Sequence, residues 1–294
     1  MGRNLNPINN DRYKFEKQLG RGASGFVYKV WDKKLKRYVA AKVTNKKNDN
    51  FVPEVMLAGR LDHENIVAIY DADSNMDYCY VIMEYIQGTT LSSFCKKRDL
   101  LPPQRICEVI IGVCKGLQYA HSKNVIHKDI KPSNIILNKM GIPKISDFGI
   151  AQMVERTMPL GLWGTPGYMS PEQLNGKVLT NASDIFSLGS VLYELLEGKK
   201  AFGNENIYSI IYKIMHDKPP KLSLLPTEQK ELFEKIIHKA LAKNPASRYQ
   251  SCHDLAYDLS RALVSINRKK QVKNQGILSA ISSRIREHIP NPLG

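Results

Sequence analysis

Several short segments carry residues whose types and spacing could handle phosphate groups and a divalent cation. Leu19-Gly20-Arg21-Gly22-Ala23-Ser24-Gly25-Phe26-Val27 has the spacing G-x-G-x-x-G-x-V. Glycines let backbone approach phosphates without side-chain clash, and Val27 can cover an adenine ring. A dinucleotide site sets such glycines between a strand and a helix; here Phe26 to Trp31 reads as a further strand, which argues against that class. Lys42, closing Val39-Ala40-Ala41-Lys42, is a cation placed to hold α- and β-phosphates. A lone strand lysine is ordinarily a surface residue, so the weight comes from Glu54, whose carboxylate on a facing helix could orient it. His127-Lys128-Asp129-Ile130-Lys131-Pro132-Ser133-Asn134 gathers an acid, two cations and an amide within one turn. Any one of them fits an ordinary polar turn after a helix, but the whole set at this spacing does not. Asp147-Phe148-Gly149 follows 18 residues after Asp129. A carboxylate there suits magnesium, a hard cation that prefers oxygen ligands.

The elements that must position these residues divide at Gln87-Gly88. Before it, Tyr13 to Leu19, Phe26 to Trp31, Tyr38 to Val43, Ile66 to Tyr70 and Tyr78 to Met83 are rich in aromatic and β-branched residues and read as strands. Glu54 to Leu61 reads as a helix, with Val55, Ala58 and Leu61 on one face and Pro53 as a candidate first residue. After Gly88 the pattern turns helical. Pro102 and Pro103 suit a helix start, and Ile106, Val109, Ile110, Val113, Leu117 and Ala120 follow at amphipathic spacing. Asp184 to Glu197 is apolar nearly all round and is followed by Gly198, as expected for a buried helix with a glycine stop. Glu228 to Leu241 and Cys252 to Leu263 complete the helical part.

Composition narrows the class further. A chain of 294 residues, 43% hydrophobic, can bury one or two cores. No apolar run approaches the roughly 20 residues that span a bilayer, and Met1 to Asn10 lacks the apolar stretch of a secretory signal. The five cysteines are Cys79, Cys95, Cys107, Cys114 and Cys252, with no C-x-x-C pair. They suggest neither a disulfide framework nor a zinc site, and favour a reducing cytosol. The net charge of +15 invites a nucleic-acid reading. The lysines are spread along the chain rather than gathered with stacking aromatics, so a solvated basic surface is preferred and no specific nucleic acid is expected.

The run His127 to Asn134 resembles the catalytic loop of the eukaryotic-type protein kinases, usually H-R-D-x-K-x-x-N. Gly164-Thr165-Pro166-Gly167-Tyr168-Met169-Ser170-Pro171-Glu172 is similar to the G-T-x-x-Y-x-[AS]-P-E ending of the activation segment in Ser/Thr kinases. With the glycine loop, Lys42 and Asp147 these motifs run in family order from residue 13 to about residue 263. The Ser-Pro-Glu ending looks most like the bacterial members. The resemblance implies an α+β, bilobal fold: a small, mostly antiparallel β N-lobe with one helix over about 13–86, and a larger, mostly α-helical C-lobe over about 87–265. Residues 1–12 would be an N-terminal extension and 266–294 a basic, amphipathic tail or linker.

The resemblance also assigns roles. Asp129 takes the place of the base for the substrate hydroxyl, Lys131 neutralises the transferring phosphoryl group, and Thr165 bridges the two. Asn134 and Asp147 hold magnesium, with manganese as an alternative. ATP contacts fall to Leu19 through Val27, to Ala40, Lys42 and Glu54, and to Met83, Glu84, Ile86 and Ile136. Here Met83 stands behind adenine, and the backbone at Glu84 and Ile86 bonds it. Phe148 and Gly149 link metal position to helix position, Glu172 pairs with Arg248, and Asp184 anchors the catalytic loop's backbone. Expected partners are proteins with Ser or Thr acceptors. Phosphothreonine readers, a transient homodimer for autophosphorylation and membrane contact of the tail stay open, as does a cytoplasmic domain of a longer, membrane-tethered protein.

The sequence departs from the family pattern in places. Lys128 replaces an arginine that commonly receives a loop phosphate through a bidentate fork, which an ammonium cannot offer. Loop control is therefore expected to be weaker, with Thr157 the better regulatory candidate. Only 12 positions separate Lys42 from Glu54, so the helix should be short. Thr90 and Ser133 stand where many basophilic kinases carry acids, so no strong demand for basic residues before the acceptor is expected. A catalytically dead scaffold would lack some of Lys42, Asp129, Asn134 and Asp147, and a small-molecule kinase would lack the Gly164-to-Glu172 segment.

Overall fold

The computed structural model describes residues 11–22, 25–45, 55–56, 58–74, 78–148, 166–203 and 206–268. Ala23, Ser24, Pro53, Glu54, Gly149, Thr157, Thr165 and the tail beyond 268 lie outside them.

The first lobe is a sheet of β1 (Tyr13–Gly22), β2 (Gly25–Asp32), β3 (Arg37–Asn45), β4 (Ile69–Ser74) and β5 (Tyr78–Glu84), all antiparallel, in the order β1-β2-β3-β5-β4. The two-residue period of a strand sorts β3 into two faces. Val39, Ala41 and Val43 pack with Tyr13, Val30, Tyr80 and Ile82 on one side. Ala40 packs with Val55, Val67, Val81 and Met83 on the other. Lys42, two residues from Ala40 and opposite Val81, shares that second face, which looks into the cleft. Residues 55, 56 and 58 are helical, with Val55, Ala58 and Leu61 buried as their spacing requires.

The second lobe begins with a small antiparallel sheet, β6 (Gly88–Thr90), β7 (Ile135–Asn138) and β8 (Pro143–Ile145). Its helices are α1 (Pro103–Ser122), α2 (Pro171–Leu174), α3 (Asn181–Glu197), α4 (Ile207–His216), α5 (Thr227–Ala240) and α6 (252–268). Proline occupies the first turn of α1, where its missing N–H costs nothing. The expected stripe from Ile106 to Ala120 is buried throughout. Helix α3 is buried from Ala182 to Glu197 and stops at Gly198, which adopts φ 66°. The architecture is therefore α+β and bilobal.

The elements differ from the sequence reading in particular places. Ile66 makes only a bridge to Ile145, and Val67 donates its N–H to the Ile145 carbonyl at 2.9 Å. The strand expected at 66–70 accordingly begins at Ile69, because Ile66 and Val67 pair with the second lobe instead. The α6 helix runs five residues past Leu263, to 268, and Ile266 is buried in the second lobe's core, so the chain stays with that core beyond residue 265. Helix α4, capped by the Asn206 side chain accepting the Ser209 N–H at 2.8 Å, was not expected from sequence.

Candidate active site

Lys42 is carried into the cleft by β3, and its side chain is almost wholly buried. Its Nζ lies 2.9 Å from Asp147 Oδ1. Burial alone would push the Asp147 carboxyl up, but the Lys42 ammonium outweighs that and holds it below the usual range. The partner foreseen for Lys42, Glu54, lies outside the described residues; the partner seen is Asp147. Asp147 adopts φ 68°, a left-handed conformation uncommon for a residue with a Cβ.

The loop between α1 and β7 supplies the rest. Proline at 132 opens a short 3₁₀ turn over Pro132–Asn134 that delivers Asn134 to the cleft. Asn134 Nδ2 donates to the Asp129 carbonyl at 2.9 Å and to Asp129 Oδ2 at 3.0 Å. Lys131 Nζ meets the same Oδ2 at 2.6 Å. Because the Asn134 nitrogen faces Asp129, its Oδ1 is the end left as an acceptor, with Ser133 Oγ at 3.4 Å. Asn134 joins Asp147 through Ser146, whose N–H donates to the Asn134 carbonyl at 2.8 Å. Lys42, Asp147, Asn134, Asp129 and Lys131 thus form one connected group at the mouth between the lobes.

The loop is fastened from beneath. Asp184, buried at the start of α3, accepts from the His127 N–H at 2.9 Å, the Lys128 N–H at 2.8 Å and His121 Nε2 at 2.8 Å. Burial pushes the Asp184 carboxyl up, yet these bonds, His121's foremost, keep it below its ordinary value. The Cys252 thiol approaches His121 Nδ1 at 3.8 Å, consistent with the ring carrying its proton on Nε2. His127 Nδ1 accepts the Asp129 N–H at 3.2 Å, while its Nε2 donates to the Ser146 carbonyl at 2.8 Å. Phe148 packs edge-on against the His127 ring, 4.5 Å between centroids, and is buried in the second lobe's core with Ala58 and Leu61.

Glu172 and Arg248 form a buried, two-pronged pair at 2.7 Å and 2.9 Å. Arg248 also donates to the carbonyls of Ala182, Ala242 and Lys243, and Ser183 Oγ donates to Glu172. Each guanidinium nitrogen therefore has an acceptor, which is what makes burying the charge tolerable.

The nucleotide side is more open. Leu19 is 42% exposed, Val27 and Ile136 are half-buried, and Met83 is buried opposite Ala40 on β5. The Glu84 N–H is used by the Ala68 carbonyl at 2.8 Å and its carboxylate by Lys144 at 2.8 Å, so the Glu84 carbonyl is what it can offer a ligand. Arg21 lies over the Phe26 ring at 5.2 Å. A Cβ on Gly20 or Gly22 would meet nothing within 4 Å, whereas one on Gly25 would strike the Val43 carbonyl oxygen at 2.2 Å. Gly25 is thus required by the sheet, and the other two are not explained by any packing around them.

Sequence reasoning missed His121 and Gln173. His121 sits one turn after Leu117 on the buried stripe of α1, so a polar residue on an apolar face was the available signal. Gln173 Nε2 donates to the Lys128 carbonyl at 2.5 Å, a contact across 45 residues that no local pattern announces.

A five-stranded lobe hinged to a helical lobe, with cation, carboxylates and amide converging between them, defines a phosphoryl-transfer domain. Residues 13–258 match the model of the protein kinase domain, and the chain belongs to that family. It is similar to the serine/threonine-protein kinase PrkC of Bacillus subtilis, 36% identical over 85% of this chain and 40% of that protein. It also resembles the probable serine/threonine-protein kinase SCO3848 of Streptomyces coelicolor, 34% identical over 86% of this chain and 40% of the other. PknB of Mycolicibacterium smegmatis, a serine/threonine-protein kinase, is 34% identical over 85% of this chain and 43% of its own length. The chain thus spans about two fifths of the length of the curated relatives it matches. Membership implies ATP as the phosphoryl donor and a divalent metal. No helix among the described residues is long and apolar enough to cross a membrane.

Proposed function

We propose that this domain transfers the γ-phosphoryl group of ATP to Ser or Thr hydroxyls of proteins, in a signalling role. The observation that carries the reading is the contact of Lys131 Nζ with Asp129 Oδ2 at 2.6 Å, within one connected group that includes Asn134, Asp147 and Lys42. Phosphoryl transfer runs through a loose transition state, so positioning and charge neutralisation do most of the work. Asp129 orients the attacking hydroxyl and accepts its proton. Lys131, held on Asp129, neutralises charge on the moving phosphoryl group, and Lys42 steadies the α- and β-phosphates. Lysine at 131 favours Ser and Thr over Tyr as acceptors.

The oxygen of Asn134 and the anionic Asp147 are hard donors and fit magnesium, with manganese an alternative of the same chemistry. An ion held by these two side chains would supply positive charge against that of the phosphates. Adenine would rest between Leu19, Val27 and Ala40 above and Ile136 below, against Met83, with the Glu84 carbonyl and Ile86 N–H along its edge.

The deciding experiment incubates the protein with labelled ATP, magnesium and a generic protein acceptor beside Asp129→Ala. Loss of incorporation in the variant, by about 10²-fold or more, is expected; equal incorporation would exclude the mechanism. Autophosphorylation at Thr157 belongs to the same proposal and is checked by phosphosite mapping after prolonged exposure to ATP. The free cysteines, four of them buried, favour work on the cytoplasmic side, whether alone or as part of a longer tethered protein.

A further inference from the structure

We propose that Gln173 is a positioning residue for the catalytic base, acting through the peptide bond that joins Lys128 to Asp129. This rests on the kinase reading above and adds to it a residue from the end of the activation segment.

Lys128 adopts φ 70°, a left-handed conformation that its side chain disfavours. Its N–H is held by Asp184 Oδ1 at 2.8 Å, and its carbonyl receives Gln173 Nε2 at 2.5 Å. That carbonyl shares a rigid, planar peptide unit with the Asp129 N–H, which donates to His127 Nδ1 at 3.2 Å. The plane is therefore gripped on opposite edges, by Gln173 and by His127. The Asp129 Cα lies in that plane, so its orientation sets where the carboxylate points.

Gln173 is itself well anchored. Its Oε1 accepts the Ser170 N–H at 3.2 Å, completing the cap of α2, and its neighbour Glu172 is locked to Arg248. The backbone donor on one side and the carbonyl acceptor on the other fix which end of the amide is nitrogen. A cap alone would be served as well by glutamate, the usual third residue of such a box. What glutamine adds is the donor, and the donor goes to Lys128.

The test compares the wild-type chain with Gln173→Glu, Gln173→Met and Ser170→Ala. Glutamate keeps the cap's acceptor, removes the donor and sets a carboxylate oxygen against the Lys128 carbonyl, whereas methionine removes the donor without adding charge. Alanine at 170, the alternative residue of the family motif, weakens the cap and leaves the donor. We expect Gln173→Glu to lower kcat roughly tenfold with the KM for ATP changed less than about twofold, since small misplacements of a reacting group are costly in rate. Amide hydrogen exchange in a peptide covering 127–129 should speed up, while α2 stays protected. Gln173→Met should repeat the loss of kcat if the glutamate variant folds poorly, and Ser170→Ala should retain kcat. A wild-type kcat in Gln173→Glu, or an equal loss in Ser170→Ala, would overturn the proposal. Should the wild type transfer no phosphate, the kinase reading falls; unchanged exchange at 127–129 in Gln173→Glu would then overturn the clamp independently.

Discussion

The two halves of the site are held by different physics. In the second lobe, Asp129 sits on a loop whose backbone is bound by a buried aspartate, whose flanking peptide is gripped at both edges, and which is joined through Gln173 to the segment carrying the enclosed Glu172–Arg248 pair. In the first lobe Lys29 pairs with Glu16 at 3.1 Å on the more open face of the sheet, and cations lean on surface tyrosines, Lys29 on Tyr38 and Arg37 on Tyr70. Arg12 with Asp32 at 2.6 Å is the exception, because Asp32 is buried and also accepts the Lys34 and Leu35 N–H groups. Surface pairs stabilise little because water competes for both charges. Buried ones must be complete or they cost heavily. The base is therefore set in a stiff frame, whereas the first lobe's cation reaches it through Lys42 and Asp147, beside the Ile66–Ile145 bridge and the Lys144–Glu84 pair that also join the lobes.

The contrast is broken most directly at its strongest point. Arg248→Ala leaves Glu172 buried without its partner and should cost about 3–5 kcal/mol, read as a lower midpoint in a denaturant melt. Lys29→Ala, at the opposite extreme, should leave the melting temperature where it is. If the arginine variant melts like the lysine one, the frame is not what holds the second lobe.

Acid should test the frame as well. Burial raises the Glu172 carboxyl and Arg248 and Ser183 more than reverse this, so its folded pKa lies below the ordinary value, as does that of Asp184. A carboxyl lowered by folding binds its proton more readily in the unfolded chain. Its stabilisation is full above the ordinary carboxylate pKa of about 4 and is lost as pH falls through the lower folded value. Melting temperature measured from pH 7 down to pH 3 should stay level and then drop below about pH 4. In Arg248→Ala the drop should be shallower, because one of its sources is already gone.

How much of this could be read from sequence depends on the distance over which each feature is decided. The stripe on α1, the glycine stop of α3 and the strands β1 to β3 follow from local spacing and turn chemistry, and they appear where that spacing puts them. The segment from Ile66 shows the limit. Its β-branched run looks like any strand, but Ile66 and Val67 choose Ile145 in the other lobe, a choice made by tertiary packing. Strands β6 and β8, three residues each, are too short for alternation to register. Helix α4, Ile-Tyr-Ser-Ile-Ile-Tyr-Lys-Ile-Met-His, does carry a helical signal, Ile207, Ile210, Ile211 and Ile214 at three-to-four spacing, but its β-branched and aromatic residues also suit a strand and the segment is short. In the site, Lys42, Asp129, Asn134 and Asp147 were legible by their motifs, and the Glu172–Arg248 pairing only through family likeness. The partners beneath them act across 63 and 45 residues; His121 shows only as a polar residue on an apolar stripe, and Gln173 leaves no local mark.

The smaller tests lie within the glycine loop, where the same contrast is repeated residue by residue. Gly25 adopts φ 122° and has the Val43 carbonyl against its would-be Cβ. Gly25→Ala should destabilise the first lobe by roughly 1–3 kcal/mol, seen as a lowered melting temperature with or without nucleotide.

Gly22 should behave otherwise. A Cβ there points into open space, and its backbone is not in the left-handed region that favours glycine. Gly22→Ala should therefore leave the melting temperature unchanged, since no protein atom is displaced. If phosphates approach the loop's backbone as proposed, the same methyl group meets them instead, and the KM for ATP should rise by a few fold, consistent with the loss of a close backbone approach. A Gly22→Ala protein with ordinary KM would place the phosphates away from the hairpin tip. An altered melting temperature without ATP would mean that the tip packs on protein after all.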